Sequence, residues 1–279
     1  MTTTHLICTD LDRTLIPNGS QEEAPLARAR FANIFKQHPV GLAYVSGRSI
    51  TLVEDGIAEY GLPIPDVIIA DVGASVYHAT EDGWLPDDNW HNLIAQDWQG
   101  KSWQSIVDIL LPIDTLRLQD TQTNQSCPHK LSYFTPPHVD SKNMQHHAEK
   151  LLADSGYKSR AIWSFDEAKN SGLLDILPAS ASKLHAIEFV LKTLNLDRDH
   201  CLFAGDSGND LEALESPIPS VLVANASPET RRKAISNAKR LNNDDKLYLA
   251  QYLSELDNGN YAGGILQGIT HFFPDLYST

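Results

Sequence analysis

Acidic and hydroxyl residues follow three short apolar segments of the sequence, and a lysine stands at the start of a predicted helix. These positions are Asp10-Leu11-Asp12-Arg13-Thr14, Ser46-Gly47-Arg48, Lys183 and Gly205-Asp206-Ser207-Gly208-Asn209-Asp210. In an open parallel sheet, ligands bind beyond the carboxyl ends of the strands, so we expect four carboxylates, one lysine and one hydroxyl to converge. Crowded carboxylates need a counter-cation, and oxygen ligands of this kind suit hydrated Mg²⁺. The pattern therefore predicts a magnesium site that attracts an anionic ligand.

The segments that position these residues alternate between strand and helix patterns. Before residue 80, strands are predicted at Leu6–Asp10, Val40–Val45 and Val67–Ala70, and helices at Ser20–Gln37 and Ser49–Gly61. Ser20 and Glu23 form a capping-box pair for the first helix, and Gly61 closes the second. Such alternation is typical of a parallel sheet with right-handed crossovers.

The same alternation returns after Pro178, but the intervening signals are weaker. The later elements are predicted as a helix at Ser182–Leu194, a strand at His200–Ala204, a short helix from Asn209, a strand at Val221–Ala224 and a helix from Ser227–Pro228. Trp84, Trp90, Trp98 and Trp103 cluster in the middle of the chain, where we expect them to form the core of an inserted domain. We predict an α/β protein whose Rossmann-like, doubly wound core is built from residues 1–80 and 179–279, with an α/β insert at 81–178.

Composition and net charge disfavour several classes of function. The chain has 279 residues and a formal net charge of −14, which disfavours binding to nucleic acid or to an anionic membrane. An anionic substrate must therefore meet a local cluster of cations. The three cysteines lie far apart with no CxxC pair, which favours a reducing compartment. Neither a signal peptide nor a membrane-spanning segment is predicted, so we expect a cytoplasmic protein.

The four motifs together resemble the haloacid dehalogenase-like hydrolase superfamily. Its signature is DxDxT/V, then Ser or Thr after the second strand, a lysine, and a GDxxxD-type acidic motif, in this order. A single DxDxT occurs by chance in many unrelated chains, whereas the ordered set is specific. The position of the insert, between the serine and lysine motifs, resembles a type 2 cap, which is an α/β lid over the site.

The resemblance extends to the sucrose-phosphate phosphatase branch of that superfamily. The matching segments are Tyr44–Ser49, Val72–His78, His129–Tyr133, Leu174–Pro178, Gly205–Asp210 and Tyr261–Ile269. Two positions depart from the pattern. Leu184 follows Lys183 where the family usually has glycine, and Arg13 stands where glycine or asparagine is common. Neither change removes a required functional group, so the resemblance predicts the type of reaction more closely than the identity of the substrate.

The resemblance implies a role for each core residue. Asp10 is the expected nucleophile, and Asp12 is the expected general acid and base, which requires a raised pKa. Asp10, Asp206, Asp210 and the backbone carbonyl of Asp12 are the expected magnesium site, in which Asp210 serves through water or Lys183. Ser46 and Lys183 are expected to bind and neutralise the phosphoryl group. Taken singly, each aspartate is more often a turn or helix cap, and only the combination favours chemistry.

Further residues are expected to bind the substrate. They are Thr14, Gly47, Arg48 and Asn209 in the core motifs, and Lys130, Tyr133 and Asp175 in the cap. Arg48 either binds phosphate or pairs with a carboxylate, and polar residues on the cap strands either line a sugar pocket or face water.

The resulting hypothesis is a sugar-phosphate phosphatase acting on sucrose 6-phosphate, with the upstream sugar-phosphate synthase as a candidate partner. The alternatives are mannosylfructose phosphate, glucosylglycerate phosphate or mannosylglycerate phosphate as substrate. A phosphosugar mutase and a non-catalytic sugar-phosphate sensor are the alternatives from other functional classes.

Overall fold

The computed structural model describes residues 3–120, 127–166 and 170–276. Within these residues the strands are β1 (His5–Thr9), β2 (Val40–Val45), β3 (Val67–Ala70), β4 (Ser75–Thr80), β5 (Gly83–Pro86), β6 (Arg117–Leu118), β7 (Leu131–Thr135), β8 (Ser159–Asp166), β9 (Ser171–Pro178), β10 (Cys201–Gly205), β11 (Ser220–Leu222) and β12 (Leu247–Leu249). The α-helices are α1 (Ala27–Gln37), α2 (Ile50–Tyr60), α3 (Asp88–Ala95), α4 (Ser141–Asp154), α5 (Lys183–Leu194), α6 (Leu211–Leu214), α7 (Pro228–Arg240) and α8 (Ala262–Phe272).

The larger sheet has eight strands in the order β12-β11-β10-β1-β2-β3-β4-β5. The run from β12 to β3 is parallel, and β4 and β5 continue it as antiparallel strands. Neighbours β1 and β10 come from opposite ends of the chain, and Thr9 lies opposite Ala204. The residues that follow these two strands therefore emerge side by side. This architecture confirms the predicted α/β fold class.

Helices cover both faces of the larger sheet. Alternate residues of β1 point to opposite faces, so Ile7 joins one hydrophobic cluster while Leu6 and Cys8 join the other. The Ile7 cluster includes Phe31 of α1, and helices α2 and α8 also contribute to it. The Leu6 cluster takes in Ile187 of α5 together with residues of α3 and α7. Because both faces of the larger sheet are buried, the sequences of its strands are continuous runs of apolar residues.

The smaller sheet has four antiparallel strands in the order β6-β7-β9-β8, and α4 packs on it. The tryptophans are divided between the two sheets. Trp98 and Trp103 lie in the core of the smaller sheet, whereas Trp84 and Trp90 pack with the larger one. The predicted boundary between residues 80 and 81 falls between β4 and β5, which both belong to the larger sheet.

The two segments that connect the larger sheet to the smaller one are hydrogen-bonded to each other at Asp97 and Ser180, and we call this contact the clamp. Asp97, which follows α3, accepts hydrogen bonds at Oδ2 from the backbone N–H of Ser180 (2.7 Å) and from its hydroxyl (2.6 Å). Lys158 completes the clamp, because its N–H donates to the Asp97 carbonyl and its carbonyl accepts from Ala179. The outgoing and returning segments are thus held together.

The start of α1 differs from the prediction. The helix begins at Ala27, seven residues after the predicted start, and Leu26 before it has a left-handed conformation with φ of 59°. Glu23 does not cap a helix but accepts a hydrogen bond from Arg28 Nε at 2.8 Å. Pro25 explains the difference, because proline disfavours helical conformation in the residue before it and lacks the N–H that a helix interior needs.

Other predicted helix ends are confirmed. Gly61 closes α2 with φ of 60°. Ser182 caps α5 by accepting from His185 N at 3.1 Å, and Ser227 caps α7 by accepting from Thr230 N at 3.0 Å. Among the residues described, no helix is both long enough and apolar enough to cross a membrane.

Candidate active site

A buried lysine joins two motifs that are far apart in sequence. Lys183 is the first residue of α5, and its ammonium donates to Asp10 Oδ1 at 2.8 Å and to Asp210 Oδ1 at 2.6 Å. All three side chains are almost fully buried, with Lys183 only 2% exposed. Burial alone would lower the pKa of Lys183, but Asp10 and Asp210 raise it, so the ammonium stays charged. The predicted convergence of the β1, α5 and β10 motifs is therefore present.

Three carboxylates crowd together beside this lysine. One oxygen each from Asp10, Asp206 and Asp210 lies within 4.8 Å of the others. Burial raises the pKa of Asp10 well above its usual value. Lys183 opposes this shift, and the neighbouring carboxylates reinforce it. Burial and the charge of Asp210 raise the pKa of Asp206 to about 7. Crowding of this kind is relieved by a hard divalent cation, and an all-oxygen donor set fits Mg²⁺.

Asp210 organises the loop after β10. Its Oδ2 accepts from the backbone N–H of Asp206 at 3.1 Å and from the N–H and hydroxyl of Ser207 at 3.0 and 3.1 Å. A Cβ at Gly205 would lie 2.6 Å from Asp210 Cγ, so only glycine fits there. Because both oxygens of Asp210 already accept hydrogen bonds, its main contact with the site is through Lys183.

Asp12 is held by an arginine. Arg48 donates from Nε to Asp12 Oδ2 at 2.8 Å and from Nη2 to Asp12 Oδ1 at 2.7 Å, and Asn18 donates to the same carboxylate at 2.7 Å. Burial would raise the pKa of Asp12, but the hydrogen bonds and charge of Arg48 hold it below the usual value. The predicted general-acid role requires a raised pKa, which this ion pair opposes. Of the two alternatives for Arg48, the structure shows the carboxylate pair.

The remaining core residues surround the same edge of the sheet. Thr14 donates to Asp10 Oδ2 at 3.3 Å, and the hydroxyl of Ser46 accepts from the Arg48 N–H at 3.2 Å. Asn209 Nδ2 lies 4.0 Å from the place that a Cβ on Gly47 would occupy. Thr14 therefore contacts the carboxylate cluster directly, Gly47 lies near Asn209, and Ser46 follows β2, the strand that pairs with β1.

Only part of the predicted cap set reaches this edge. The ammonium of Lys130 donates to the Gly47 carbonyl at 3.1 Å and lies 4.0 Å from Asp175 Oδ1. Tyr133 lies instead in the core of the smaller sheet and is 5% exposed. Alternation along β7 explains this, because Ser132 pairs with Asp175 on one face and the next residue points to the other. Tyr133 is therefore not brought to the site.

Sequence reasoning missed two charged residues at the site. Arg13, noted only as a departure from the family pattern, lies with Nε 3.4 Å from Asp206 Oδ2. Asp71 directly follows β3, is 1% exposed, and has Oδ1 3.7 Å from Lys130 Nζ. Asp71 carried a usable signal, because the rule that selected the ends of β1, β2 and β10 applies equally to the end of β3.

The sheet is doubly wound, and it carries an aspartate after β1, a serine after β2, a lysine at the start of α5 and an acidic loop after β10. This combination defines a haloacid dehalogenase-like hydrolase. The insert over that edge has the α/β composition expected of a type 2 cap. Comparison with family models then assigns the chain. Residues 3–273 match the model of sucrose-6F-phosphate phosphohydrolase, and the chain belongs to this family of phosphoric monoester hydrolases.

Individual relatives agree with this family. A protein of Nitrosococcus oceani described as a HAD-like hydrolase is 43% identical, over 97% of this chain and 72% of its own length. Sucrose-phosphatase 1 of Nicotiana tabacum is 29% identical, and the chain spans 59% of it. The sucrose-phosphatase of Synechocystis sp. PCC6803, solved with sucrose and phosphate, superposes with a TM-score of 0.74 at 25% identity, covering 97% of this chain and 98% of that one.

Proposed function

We propose that the protein is a Mg²⁺-dependent phosphatase that hydrolyses sucrose 6-phosphate through a phosphorylated Asp10. The observation that carries the proposal is the position of Asp10. Its buried carboxylate directly follows β1 and lies between Lys183 and Thr14, in a chain of the sucrose-6F-phosphate phosphohydrolase family. Covalent catalysis by a carboxylate divides a slow hydrolysis into two easier transfers.

In the first transfer, an oxygen of Asp10 attacks phosphorus while the bond from phosphorus to the sugar oxygen breaks. Asp12 gives its proton to the departing sugar alcohol. In the second transfer, water attacks the acyl phosphate, Asp12 takes a proton from that water, and Asp10 is regenerated. Lys183 and the Ser46 loop neutralise and orient the phosphoryl oxygens. For Asp12 to carry the proton, we propose that Arg48 moves from this carboxylate to the phosphoryl group.

The carboxylates of Asp10 and Asp206 and the backbone carbonyl of Asp12 are the groups that we propose to hold Mg²⁺. Asp210 supports them by fixing Lys183 and the loop after β10. The cation would supply positive charge against the phosphate dianion, which the acidic surface of the protein otherwise repels. The crowding of three buried carboxylates supports this assignment.

Sucrose 6-phosphate is favoured over other sugar phosphates by the matched family and by relatives that are named sucrose-phosphatases. One observation supports a second candidate. Part of a glucosylglycerol-phosphate synthase of Pseudomonas anguilliseptica is 31% identical to 225 residues of this chain. A glycosylglycerol or glycosylglycerate phosphate is therefore the alternative substrate, and the synthase that makes the sugar phosphate is the class of partner that the reaction implies.

A panel of phosphorylated sugars with a free-phosphate readout tests the proposal. We expect kcat/KM for sucrose 6-phosphate to exceed that for glucose 6-phosphate, because a site that pairs sugar hydroxyls discriminates strongly against the wrong sugar. Equal values would refute the sucrose assignment while leaving the phosphatase assignment intact. Formation of an isomeric sugar phosphate without release of free phosphate would identify a mutase.

The cap is tested with Lys130→Ala, using Lys142→Ala on the exposed face of α4 as the matched control. We expect Lys130→Ala to lower kcat/KM for sucrose 6-phosphate more than for p-nitrophenyl phosphate, because the smaller ester needs no sugar contacts. Equal losses with both esters would assign Lys130 to folding or to phosphate binding instead.

A further inference from the structure

A turn of unusual conformation follows β3. Asp71, Val72 and Gly73 have φ of 54°, 60° and 96°, so three successive residues are left-handed. Valine is rarely found in this region because its branched Cβ crowds the backbone. A run of this kind persists only where surrounding contacts determine it, and such runs cluster at functional sites.

Contacts of the turn join the loop Ser46–Arg48, here called the serine loop, to the start of α5. The N–H of Asp71 donates to the Arg48 carbonyl at 2.9 Å, and the N–H of Val72 donates to the Ser46 carbonyl at 3.0 Å. On the opposite side, a Cβ at Gly73 would lie 2.3 Å from the backbone carbonyl of Ser182, which precedes Lys183. The backbone of the turn thus contacts both the serine loop and the start of α5.

The Asp71 side chain adds the cap to these contacts. Its Oδ2 accepts from Ser75 Oγ at 3.0 Å, which orients the carboxylate, and its Oδ1 lies 3.7 Å from Lys130 Nζ. The same ammonium donates to the Gly47 carbonyl and approaches Asp175. One buried cation therefore contacts a core carboxylate, a cap carboxylate and the serine loop at once.

We infer that Asp71 is a positioning residue, which holds the cap's Lys130 against the Ser46–Arg48 loop so that the cap and the phosphate-binding loop adopt their working arrangement together. Asp71 acts through Lys130 and need not touch the substrate. The inference rests on the proposed function, because its principal test measures the rate of sugar-phosphate hydrolysis.

Asp71→Asn is the informative substitution, because asparagine keeps the shape of the side chain and tolerates the left-handed backbone while losing the charge. We expect the ratio of kcat/KM for the best sugar phosphate to kcat/KM for p-nitrophenyl phosphate to fall about tenfold, equivalent to about 1.4 kcal/mol of transition-state binding. Asp87→Asn is the matched control. Asp87 is also buried and caps α3, where asparagine serves equally well, and its ion-pair partner is His78. We expect this control to leave the ratio within about twofold, the range of a site that acts independently.

A double-mutant cycle separates positioning from folding. In a Lys130→Met background, Asp71→Asn should cause no further fall in the ratio, because the group that it positions is gone. Losses that multiply in the double variant, or equal losses with both esters in Asp71→Asn alone, would overturn the inference.

Hydrogen exchange in the ligand-free protein provides a measurement that does not depend on the substrate. We expect the peptide containing Ser46–Arg48 to exchange faster in Asp71→Asn than in the unmutated protein. If no sugar phosphate were preferred by the unmutated protein, the sucrose assignment would fall and this exchange rate would decide the inference. An unchanged rate would overturn it.

Discussion

Lys183→Met should damage both the stability and the chemistry of the site. Methionine has similar length but carries no charge, so Asp10 and Asp210 lose hydrogen bonds of 2.8 and 2.6 Å. Each ion pair supplies a Coulomb attraction of about 6 kcal/mol at an effective dielectric constant of about 20, most of which offsets the cost of burial. Removing the cation leaves that cost uncompensated, and we expect the free energy of unfolding to fall by about 3–5 kcal/mol.

Urea unfolding of the metal-free protein measures this loss. Lys192→Met provides the matched control, because Lys192 is exposed near the end of the same helix. We expect the control to change the free energy of unfolding by less than about 0.5 kcal/mol. Turnover of Lys183→Met should fall by about 10²-fold or more, since the proposed preorganised partner of the phosphoryl group is missing.

Adding Asp210→Asn to Lys183→Met should restore part of the lost stability, because one uncompensated carboxylate is removed. The reasoning is refuted if Lys183→Met costs less than about 1 kcal/mol, which is the range of an exposed ion pair. It is also refuted if Asp210→Asn fails to reduce the cost, since the two side chains would then not be coupled.

Three further predictions concern the nucleophile, the metal and a buried histidine. Asp10→Asn should abolish turnover and the mass increase of one phosphoryl group on the intact protein, and activity well above background would exclude the covalent route. A chelator should abolish turnover, Mg²⁺ should restore it, and Ca²⁺ should inhibit because it prefers more ligands in a looser geometry; full activity in excess chelator would exclude the metal. Burial and His91 lower the pKa of His129 to about 4, so the folded protein keeps His129 neutral where the unfolded chain binds a proton. His129 should therefore contribute a loss of stability of at most about 3 kcal/mol as pH falls from about 6.5 to about 4. His129→Asn should show a smaller loss over this range than the unmutated protein, whereas His138→Asn, at an exposed position, should show the full loss.

Local patterns predicted the core of the fold because local chemistry decides it. The apolar runs that became β2 and β3 are buried on both faces, and the caps of α5 and α7 are satisfied by serines within three residues. The start of α1 was mispredicted because a capping-box pattern was weighed without the proline that follows it. The conflict between the two signals was visible in the sequence.

Two features of the site depend on tertiary contacts that spacing cannot reveal. The bidentate pair between Asp12 and Arg48 joins residues 36 positions apart, and it lowers the pKa of Asp12, whereas the proposed general-acid role needs a raised one. Tyr133 and Asp175 both lie on cap strands, yet pleating places them on opposite faces of the smaller sheet. An error of one residue in assigning a face exchanges a core tyrosine for a carboxylate on the face that approaches Lys130.

The clamp between Asp97 and Ser180 has a consequence for how substrate range can change. Because the chain leaves and returns at one point, the segment between these residues can be exchanged by rejoining two adjacent ends, with little entropic cost of closure. The proposed hydrolytic residues and the segment proposed to select the sugar therefore lie on different stretches of the chain. On the proposed function, exchange of this segment would change the choice of sugar while Asp10 and Lys183 stay unchanged, provided that the new segment also supplies the contact that Lys130 makes with the Gly47 carbonyl.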